Sequence, residues 1–257
     1  MNIRLPWRDR LFAAFIFFTR LPFWRIHQPR KEAYETVVEL WPLTGWLTAG
    51  CMAATLYFGS FVVPTALAAM AAIIVRILIT GALHEDGLAD FIDGFGGGGT
   101  DRKRILDIMK DSHIGTYGVV GLVLYFMLLH QSLTILPPRI TALMILAADP
   151  FFKMMTAQLI QMMPYARTAE TAKSQVVYRK TSIKAGLLLL IQGTLPAIGL
   201  WYFAGLPYLG IAMPALVFYL LYLLMHRRIN GYTGDCCGAV FLLTELTFYL
   251  TYITLNS

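Results

Sequence analysis

One polar stretch dominates this otherwise apolar chain: His84-Glu85-Asp86-Gly87-Leu88-Ala89-Asp90-Phe91-Ile92-Asp93-Gly94, followed by Phe95-Gly96-Gly97-Gly98-Gly99-Thr100. If the stretch is helical, Asp86, Asp90 and Asp93 lie within an arc of roughly 60° on one face, because each residue advances by about 100°. Carboxylates held that close repel one another unless a cation lies among them. A divalent metal would supply that cation, and the alternative interpretation is a solvated acidic helix end.

The composition around this stretch is that of a membrane protein. Hydrophobic residues make up 57% and charged residues 14% of the 257 residues, and the mean hydropathy is +0.61. A soluble domain carries about 25% charged residues. We therefore predict an all-α, polytopic helical bundle in the membrane, forming a single domain over residues 1–257.

Apolar runs long enough to cross a hydrocarbon layer of about 30 Å predict about seven membrane-spanning helices. An N-terminal interfacial helix over residues 11–18 and an amphipathic helix over residues 102–110 are predicted in addition. The predicted spans cover residues 40–63, 65–83, 117–136, 140–163, 186–205, 208–225 and 239–255.

Lysine and arginine concentrate in four polar segments, at the N-terminus and after His84, Pro164 and His226. Two predicted spans separate each successive pair, so all four segments fall on one face of the membrane. The positive-inside rule makes that face cytoplasmic. The net charge of +6 has the same origin and does not indicate a nucleic-acid partner. The four segments can therefore build a single cytosolic site.

The glycine run next to the acids adds a second feature of that site. Backbone N–H groups at Gly97 and Gly98 can approach phosphate oxygens, although a flexible linker explains a glycine run equally well. Carboxylates beside such glycines indicate phosphoryl transfer, in which a metal neutralises charge and protein groups position the partners. Asp111, in the polar segment that follows, is a candidate general base.

Several cations are candidates for binding an anionic substrate. Arg76 is the single charge of the predicted span 65–83, and it either neutralises the acids or reaches the substrate. Loop cations would suit a nucleotide diphosphate, although the positive-inside bias explains any one of them. Asp235 provides a second acidic locus. The candidate substrate-binding residues are Arg76, Gly97, Gly98, Arg104, Lys110, Arg167, Arg228 and Asp235.

The motifs His84–Asp90 with Asp93-Gly94, Ile108–Ser112 and Gly115–Gly118 closely resemble the cobalamin synthase family, the membrane-bound adenosylcobinamide-GDP ribazoletransferases. The resemblance also covers Phe18–Pro22, Tyr165–Arg167 and Thr233–Asp235. It implies attack of α-ribazole, or of its 5'-phosphate, on adenosylcobinamide-GDP, with release of GMP and use of Mg²⁺.

With that resemblance, our hypothesis is that Glu85, Asp86, Asp90 and Asp93 hold Mg²⁺ on the diphosphate, and that Asp111 or a cluster acid such as Asp90 or Asp93 is the base. The expected partners are the two substrates and membrane lipid, and the expected location is the inner membrane. A homo-oligomer, or association with other enzymes of cobalamin assembly, stays open.

Two alternatives remain at the level of sequence. Asp90-Phe91-Ile92-Asp93-Gly94 and the pair Asp107 and Asp111 echo the acid spacing of CDP-alcohol phosphotransferases, although the Ala-Arg element of that motif is missing. A secondary transporter would instead use Arg76, Asp149 and Glu245 to line a path. The related halves that are common in transporters are not evident in this chain.

Overall fold

The structure is a computed structural model that describes residues 5–167, 176–205 and 208–256. These residues form α-helices joined by short connections, with two 3₁₀ helices, Phe23–Arg25 and Lys31–Leu40, near the start. The helices are α1 (Trp7–Phe18), α2 (Trp41–Gly59), α3 (Thr65–Thr80), α4 (Leu83–Gly97), α5 (Arg102–Lys110), α6 (Thr116–Ile135), α7 (Pro138–Ala157), α8 (Leu159–Met162), α9 (Ile183–Ala204), α10 (Tyr208–Ile229) and α11 (Gly234–Asn256).

The prediction of a polytopic all-α membrane bundle is confirmed, and the described residues contain fewer candidate spans than the seven expected. Within the described ranges, five helices are long and apolar enough to cross a membrane: α6, α7 continued by α8, α9, α10 and α11. The bent pair α3 and α4 makes a sixth if it counts as one span. The predicted span over residues 40–63 corresponds to α2, which is not among these candidate spans. Trp41, Pro42, Thr44 and Thr48 lower its hydropathy.

The second predicted span, 65–83, ends early because the chain turns sharply. Helices α3 and α4 meet at an angle of 90°. Gly81 and Ala82 form the bend with φ of 67° and 57°, a left-handed conformation that glycine adopts readily and alanine rarely. The N-terminal segment supports the bend, since the Arg20 N–H donates to the Ile79 carbonyl at 2.7 Å. The bend directs α4 away from the axis of α3.

Both helices predicted outside the spans are present. The structure extends the interfacial helix to α1, and α5 covers the predicted residues Arg102–Lys110. Asp101 caps α5, because its carboxylate accepts the N–H of Lys103 at 2.9 Å. Ile105 and Met109 are buried on the inner face of α5, as the amphipathic pattern predicts.

A buried ionic cluster joins α3, α4, α6 and α11 inside the bundle. The guanidinium of Arg76 donates to Glu245 at 2.7 Å and to the Tyr125 hydroxyl, and lies 3.8 Å from a Glu85 oxygen. Tyr249 donates to the other Glu245 oxygen at 3.1 Å. Arg76, Glu85 and Glu245 are almost fully buried, so each charge depends on the others for compensation.

A second buried pair ties α7 to α2. Asp149 and Lys153 form an ion pair one turn apart on α7. Thr48 of α2 donates to Asp149 at 2.9 Å and accepts from Lys153 at 3.0 Å. The Lys153 ammonium also lies 5.0 Å from the centre of the Phe241 ring on α11. The candidate transporter residues Arg76, Asp149 and Glu245 thus form buried ion pairs that join helices within the bundle.

Replacing Arg76 by Met should destabilise the protein by about 3–5 kcal/mol, because Glu245 and Glu85 would be left buried without their cation. The double variant Arg76→Met/Glu245→Met should recover part of that loss, since it removes the stranded carboxylate too. Thermal unfolding in detergent measures both, with the exposed Arg139→Met as the control. An Arg76→Met melting temperature equal to that of the control would contradict the role given to the cluster.

Candidate active site

A cavity of about 280 Å³ lies where the four polar segments meet. Three of the predicted site residues, Asp86, Arg167 and Asp235, line this cavity. The structure therefore brings residues of all four segments together at one cavity, and their location on one face of the membrane stays a prediction. The remaining lining residues are Phe17, Phe18, Val38, Trp41, Leu83, His84, Tyr165, Tyr178, Gly234, Cys237 and Gly238.

Close backbone contact between α4 and α11 brings the two acids to the same cavity. A Cβ atom added at Gly87 of α4 would lie 3.0 Å from the Cα and carbonyl oxygen of Asp235. One added at Gly238 of α11 would lie 3.1 Å from the His84 carbonyl oxygen. Any larger residue at either position would require the facing backbone to shift, so glycine suits this approach on both helices. Asp86 and Asp235, each in the first turn of its helix, consequently face the same space.

Aromatic rings form a large part of the cavity wall. Phe18 and Trp41 are stacked with centroids 5.1 Å apart and planes at 10°, and Trp41 and His84 with centroids 5.7 Å apart and planes at 18°. Phe17 meets Tyr178 edge to face at 6.1 Å. These rings come from α1, α2, α4 and the segment before α9, so the wall exists only once the chain has folded.

Three polar atoms of lining residues lack a hydrogen-bond partner although they are buried: Trp41 Nε1, His84 Nε2 and Arg167 Nε. A buried donor without a partner costs about 1–3 kcal/mol. Six further buried polar atoms without a hydrogen-bond partner belong to described residues outside this cavity, so such atoms are not confined to it. At the cavity, a bound ligand could supply the missing partners of these three.

The loops around the cavity are fastened by arginines that donate to backbone carbonyls. Arg102 donates to Ile229 and to Ala166, both at 2.8 Å, and Arg167 donates to Leu106 at 2.8 Å. Next to Arg167, burial raises the pKa of Tyr165 to about 12, so its hydroxyl stays protonated at neutral pH. The Arg167–Lys184 loop is described only at its two ends, and residues 168–175 lie outside the described residues.

Asp93, predicted as a metal ligand and catalytic acid, holds the start of α6. Its two carboxylate oxygens accept the backbone N–H of Gly115 at 2.7 Å and of Gly118 at 2.8 Å. These N–H groups belong to the first turn of α6, where helical partners are missing and the helix dipole favours negative charge. The contact anchors α6 to α4.

Glu85 lies away from the cavity, in the buried cluster with Arg76. Of the four acids predicted to hold a metal, Glu85 therefore faces inward, Asp93 caps α6 and Asp86 lines the cavity. Asp90 is partly exposed one turn after Asp86 and has an interaction of its own. In the described part of the chain, His, Cys, Asp and Glu form no group of three or more that could hold a metal ion.

The donor chemistry nevertheless fits Mg²⁺ that is shared with a substrate. Mg²⁺ is usually held by one or two carboxylates together with substrate phosphates rather than by a full protein cage. Asp86 and Asp90 are four residues apart on α4 and so lie on the same helix face. One carboxylate at a cavity that also contains an arginine, with a second carboxylate one turn further along the same helix face, meets that requirement.

The glycine run is not an open loop, which corrects the sequence expectation. Helix α4 continues to Gly97, and the Gly98 N–H donates to the Gly94 carbonyl at 2.9 Å. Gly98 also packs against Ile105 of α5. In the turn that follows, the Gly99 carbonyl accepts a hydrogen bond from the guanidinium of Arg228. These glycines allow α4 to pack closely against α5.

Three predicted residues lie on the exposed side of the α5 region: Arg104, Lys110 and Asp111. None of them lines the cavity. Asp111 accepts hydrogen bonds from the His113 backbone at 3.0 Å and from its ring nitrogen at 2.7 Å. These contacts hold the pKa of Asp111 below its ordinary value, which makes it a weaker base.

The aromatic wall could hardly be predicted from the sequence. Phe17, Trp41 and Tyr178 are far apart in the chain and stand in apolar or mixed surroundings, where aromatic residues are ordinary. The one usable signal was the position of Phe18 and Tyr165 in motifs that resemble the family.

The fold and cavity define a polytopic membrane protein with a polar, aromatic-lined site at one end of its helical bundle. Its sequence matches the family model described as cobalamin-5-phosphate synthase over residues 10–253. The chain therefore belongs to the cobalamin-5-phosphate synthase family. No solved structure gives a significant match to the chain.

Curated relatives in three bacteria, each named adenosylcobinamide-GDP ribazoletransferase, are similar along almost their whole length. The protein of Leptospira interrogans is 34% identical, with 94% of both chains covered. That of Shewanella woodyi is 35% identical, with 93% of both covered. That of Vibrio parahaemolyticus is 33% identical, covering 93% of this chain and 90% of the relative.

Replacing Asp93 by Ala should lower the stability of the protein by about 3 kcal/mol, because two N–H groups lose a charged acceptor. Asp93→Asn should lose less, since one carbonyl oxygen is kept. Thermal unfolding of the solubilised protein measures the loss, and the exposed Asp107→Ala serves as the matched control. If Asp93→Ala unfolds no earlier than Asp107→Ala, Asp93 does not anchor α6.

Proposed function

We propose that this protein is an adenosylcobinamide-GDP ribazoletransferase. It transfers the adenosylcobinamide-phosphate group of adenosylcobinamide-GDP to α-ribazole, or to its 5'-phosphate, and GMP leaves. The observation that carries this proposal is the convergence of Asp86, Asp235 and Arg167 on one cavity, in a chain of this family. Carboxylates and an arginine at one site are the groups that phosphoryl transfer needs.

In the proposed reaction a ribose hydroxyl of α-ribazole attacks the phosphorus on the cobinamide side of the diphosphate. A new P–O bond forms, the P–O bond to GMP breaks, and the hydroxyl proton passes to a carboxylate. We assign that carboxylate to Asp235, because it lines the cavity, whereas Asp111 is exposed and does not line it. Asp235 also accepts a hydrogen bond from the Thr233 hydroxyl at 3.3 Å. Arg167, also at the cavity, balances phosphate charge.

We assign the Mg²⁺ to Asp86 and Asp90, with substrate phosphates completing its ligands. When bound, the ion would neutralise charge on the diphosphate. Glu85 and Asp93 are left out of this set because Arg76 and the start of α6 already engage them. Their effect on the reaction is then indirect, through the position of α4.

We place the site on the cytoplasmic face of the inner membrane. Arg102, Arg167 and Arg228 all donate to backbone carbonyls of the polar segments that meet at the cavity. Their concentration at one end supports this orientation through the positive-inside rule. The comparisons do not favour a CDP-alcohol phosphotransferase or a transporter.

Asp86→Asn and Asp90→Asn should each slow GMP release by about 100-fold or more, because an amide binds Mg²⁺ and balances charge far less well than a carboxylate. GMP is measured by chromatography after detergent-solubilised protein is mixed with adenosylcobinamide-GDP, α-ribazole and Mg²⁺. Chelation of the metal should stop the wild-type reaction as well.

The control for this experiment is Glu32→Gln, which removes an exposed acid far from α4 in sequence and should leave the rate unchanged. Each variant must elute and melt as the wild type does, so that a slow rate is not caused by unfolding. Full turnover by both aspartate variants would overturn the assignment of the site to α4. Release of CMP from a CDP-alcohol, with none of GMP, would overturn the proposed reaction.

A further inference from the structure

The cavity also indicates which part of which substrate it holds. We propose that it is the binding site of α-ribazole, the substrate that accepts the adenosylcobinamide-phosphate group. The planar base of α-ribazole lies against the ring stack of Phe18, Trp41 and His84, with the ribose directed toward Asp235. This assignment rests on the proposed function, because it assigns one of the two substrates of that reaction to this cavity.

The size of the cavity favours the nucleoside over the corrinoid. Ligand pockets usually have volumes of about 300–1,000 Å³, and this cavity of about 280 Å³ lies at the lower limit. A nucleoside fits such a space, whereas the corrin ring and its amide side chains do not. The larger substrate can bring only its diphosphate to the edge of the cavity, where Asp86 is exposed.

The aromatic wall favours a flat, fused-ring base. Phe18, Trp41 and His84 lie nearly parallel, with interplanar angles of 10° and 18° between successive rings. In nucleic-acid complexes, stacking on an aromatic ring contributes about 1–3 kcal/mol of binding free energy per base. Phe17, Val38 and other apolar side chains continue the wall. A cavity of this kind favours a base with few polar groups.

The buried polar atoms distinguish the ribazole base from guanine. Trp41 Nε1 is a hydrogen-bond donor only, and it has no partner. The benzimidazole base of α-ribazole carries one free ring nitrogen, which is an acceptor, and no N–H group. Guanine also offers acceptors to Trp41, but its N1–H and N2–H₂ donors would face Phe18, Val38 and Trp41, whose side chains carry no acceptor. The carboxylates of Asp86 and Asp235 belong to less buried residues at the helix starts. The base of α-ribazole therefore matches the inner wall better.

Charged groups recognise the ribose end of α-ribazole. Asp235 is partly exposed at the first turn of α11 and can accept a ribose hydroxyl. The side chain of Arg167 has a buried Nε without a partner, which a phosphate on the 5' oxygen would satisfy. With the base inside, the reacting hydroxyl would lie between Asp235 and the edge of α4.

Gly234 offers a direct test, because it lines the cavity and a Cβ added there meets only the Tyr178 hydroxyl, at 3.9 Å. Gly234→Leu should therefore fold and fill the space. Gly186→Leu is the matched control, since a Cβ at Gly186 of α9 has nothing within 4 Å. Titration calorimetry of the solubilised full chain measures binding of α-ribazole and, separately, of GDP.

We expect Gly234→Leu to weaken α-ribazole binding at least tenfold and to leave GDP binding unchanged, while Gly186→Leu changes neither. If Gly234→Leu instead weakens GDP and spares α-ribazole, the cavity holds guanine and the proposal is wrong. If it weakens neither ligand, the cavity is not a substrate site and the proposal is wrong too.

A second variant keeps the test decisive if Gly234→Leu does not fold. Trp41→Phe keeps a ring in the stack but removes the indole donor, and it should weaken α-ribazole binding severalfold without changing GDP binding. Unchanged α-ribazole affinity would overturn the proposal. Failure of the proposed function shows separately, as absence of GMP release from the wild-type protein under conditions in which α-ribazole binds.

Discussion

The site depends on one contact, the backbone-to-backbone approach of α4 and α11. Gly87 and Gly238 allow it, and no side chain separates the two helices at those positions. Beneath this contact, Arg76 bridges α3 to Glu245 of α11 inside the bundle. The 90° turn between α3 and α4 makes the approach possible, because α4 can lie against α11 only after leaving the axis of α3.

Most of the fold could be predicted from hydropathy and charge. Low charge content and long apolar runs required a membrane bundle, and four basic segments separated by pairs of spans required a shared face. The turn at Gly81-Ala82 could not be predicted, since an alanine in the left-handed region is stabilised by its surroundings, here the segment around Arg20. Without that turn, residues 65–83 look like an ordinary span.

The site was predicted in part, and the limits have a physical cause. Helical periodicity identifies residues on one face but does not say what packs against that face. Asp86 lines the cavity, but Asp93 accepts hydrogen bonds from N–H groups at the start of α6, and Glu85 lies beside the guanidinium of Arg76. Interactions between distant segments decided these outcomes. The same is true of the aromatic wall, whose members share no local pattern.

The most direct test of this account is the rate of GMP release by Gly87→Ala, compared with Gly50→Ala on α2, where a Cβ has open space. A methyl group at Gly87 requires the facing backbone of Asp235 to shift, and a misplacement of reacting groups by about 1 Å costs about 100-fold in rate. The account predicts a loss of at least tenfold in Gly87→Ala and none in Gly50→Ala, with both proteins folded. A Gly87→Ala variant as fast as the wild type would contradict it.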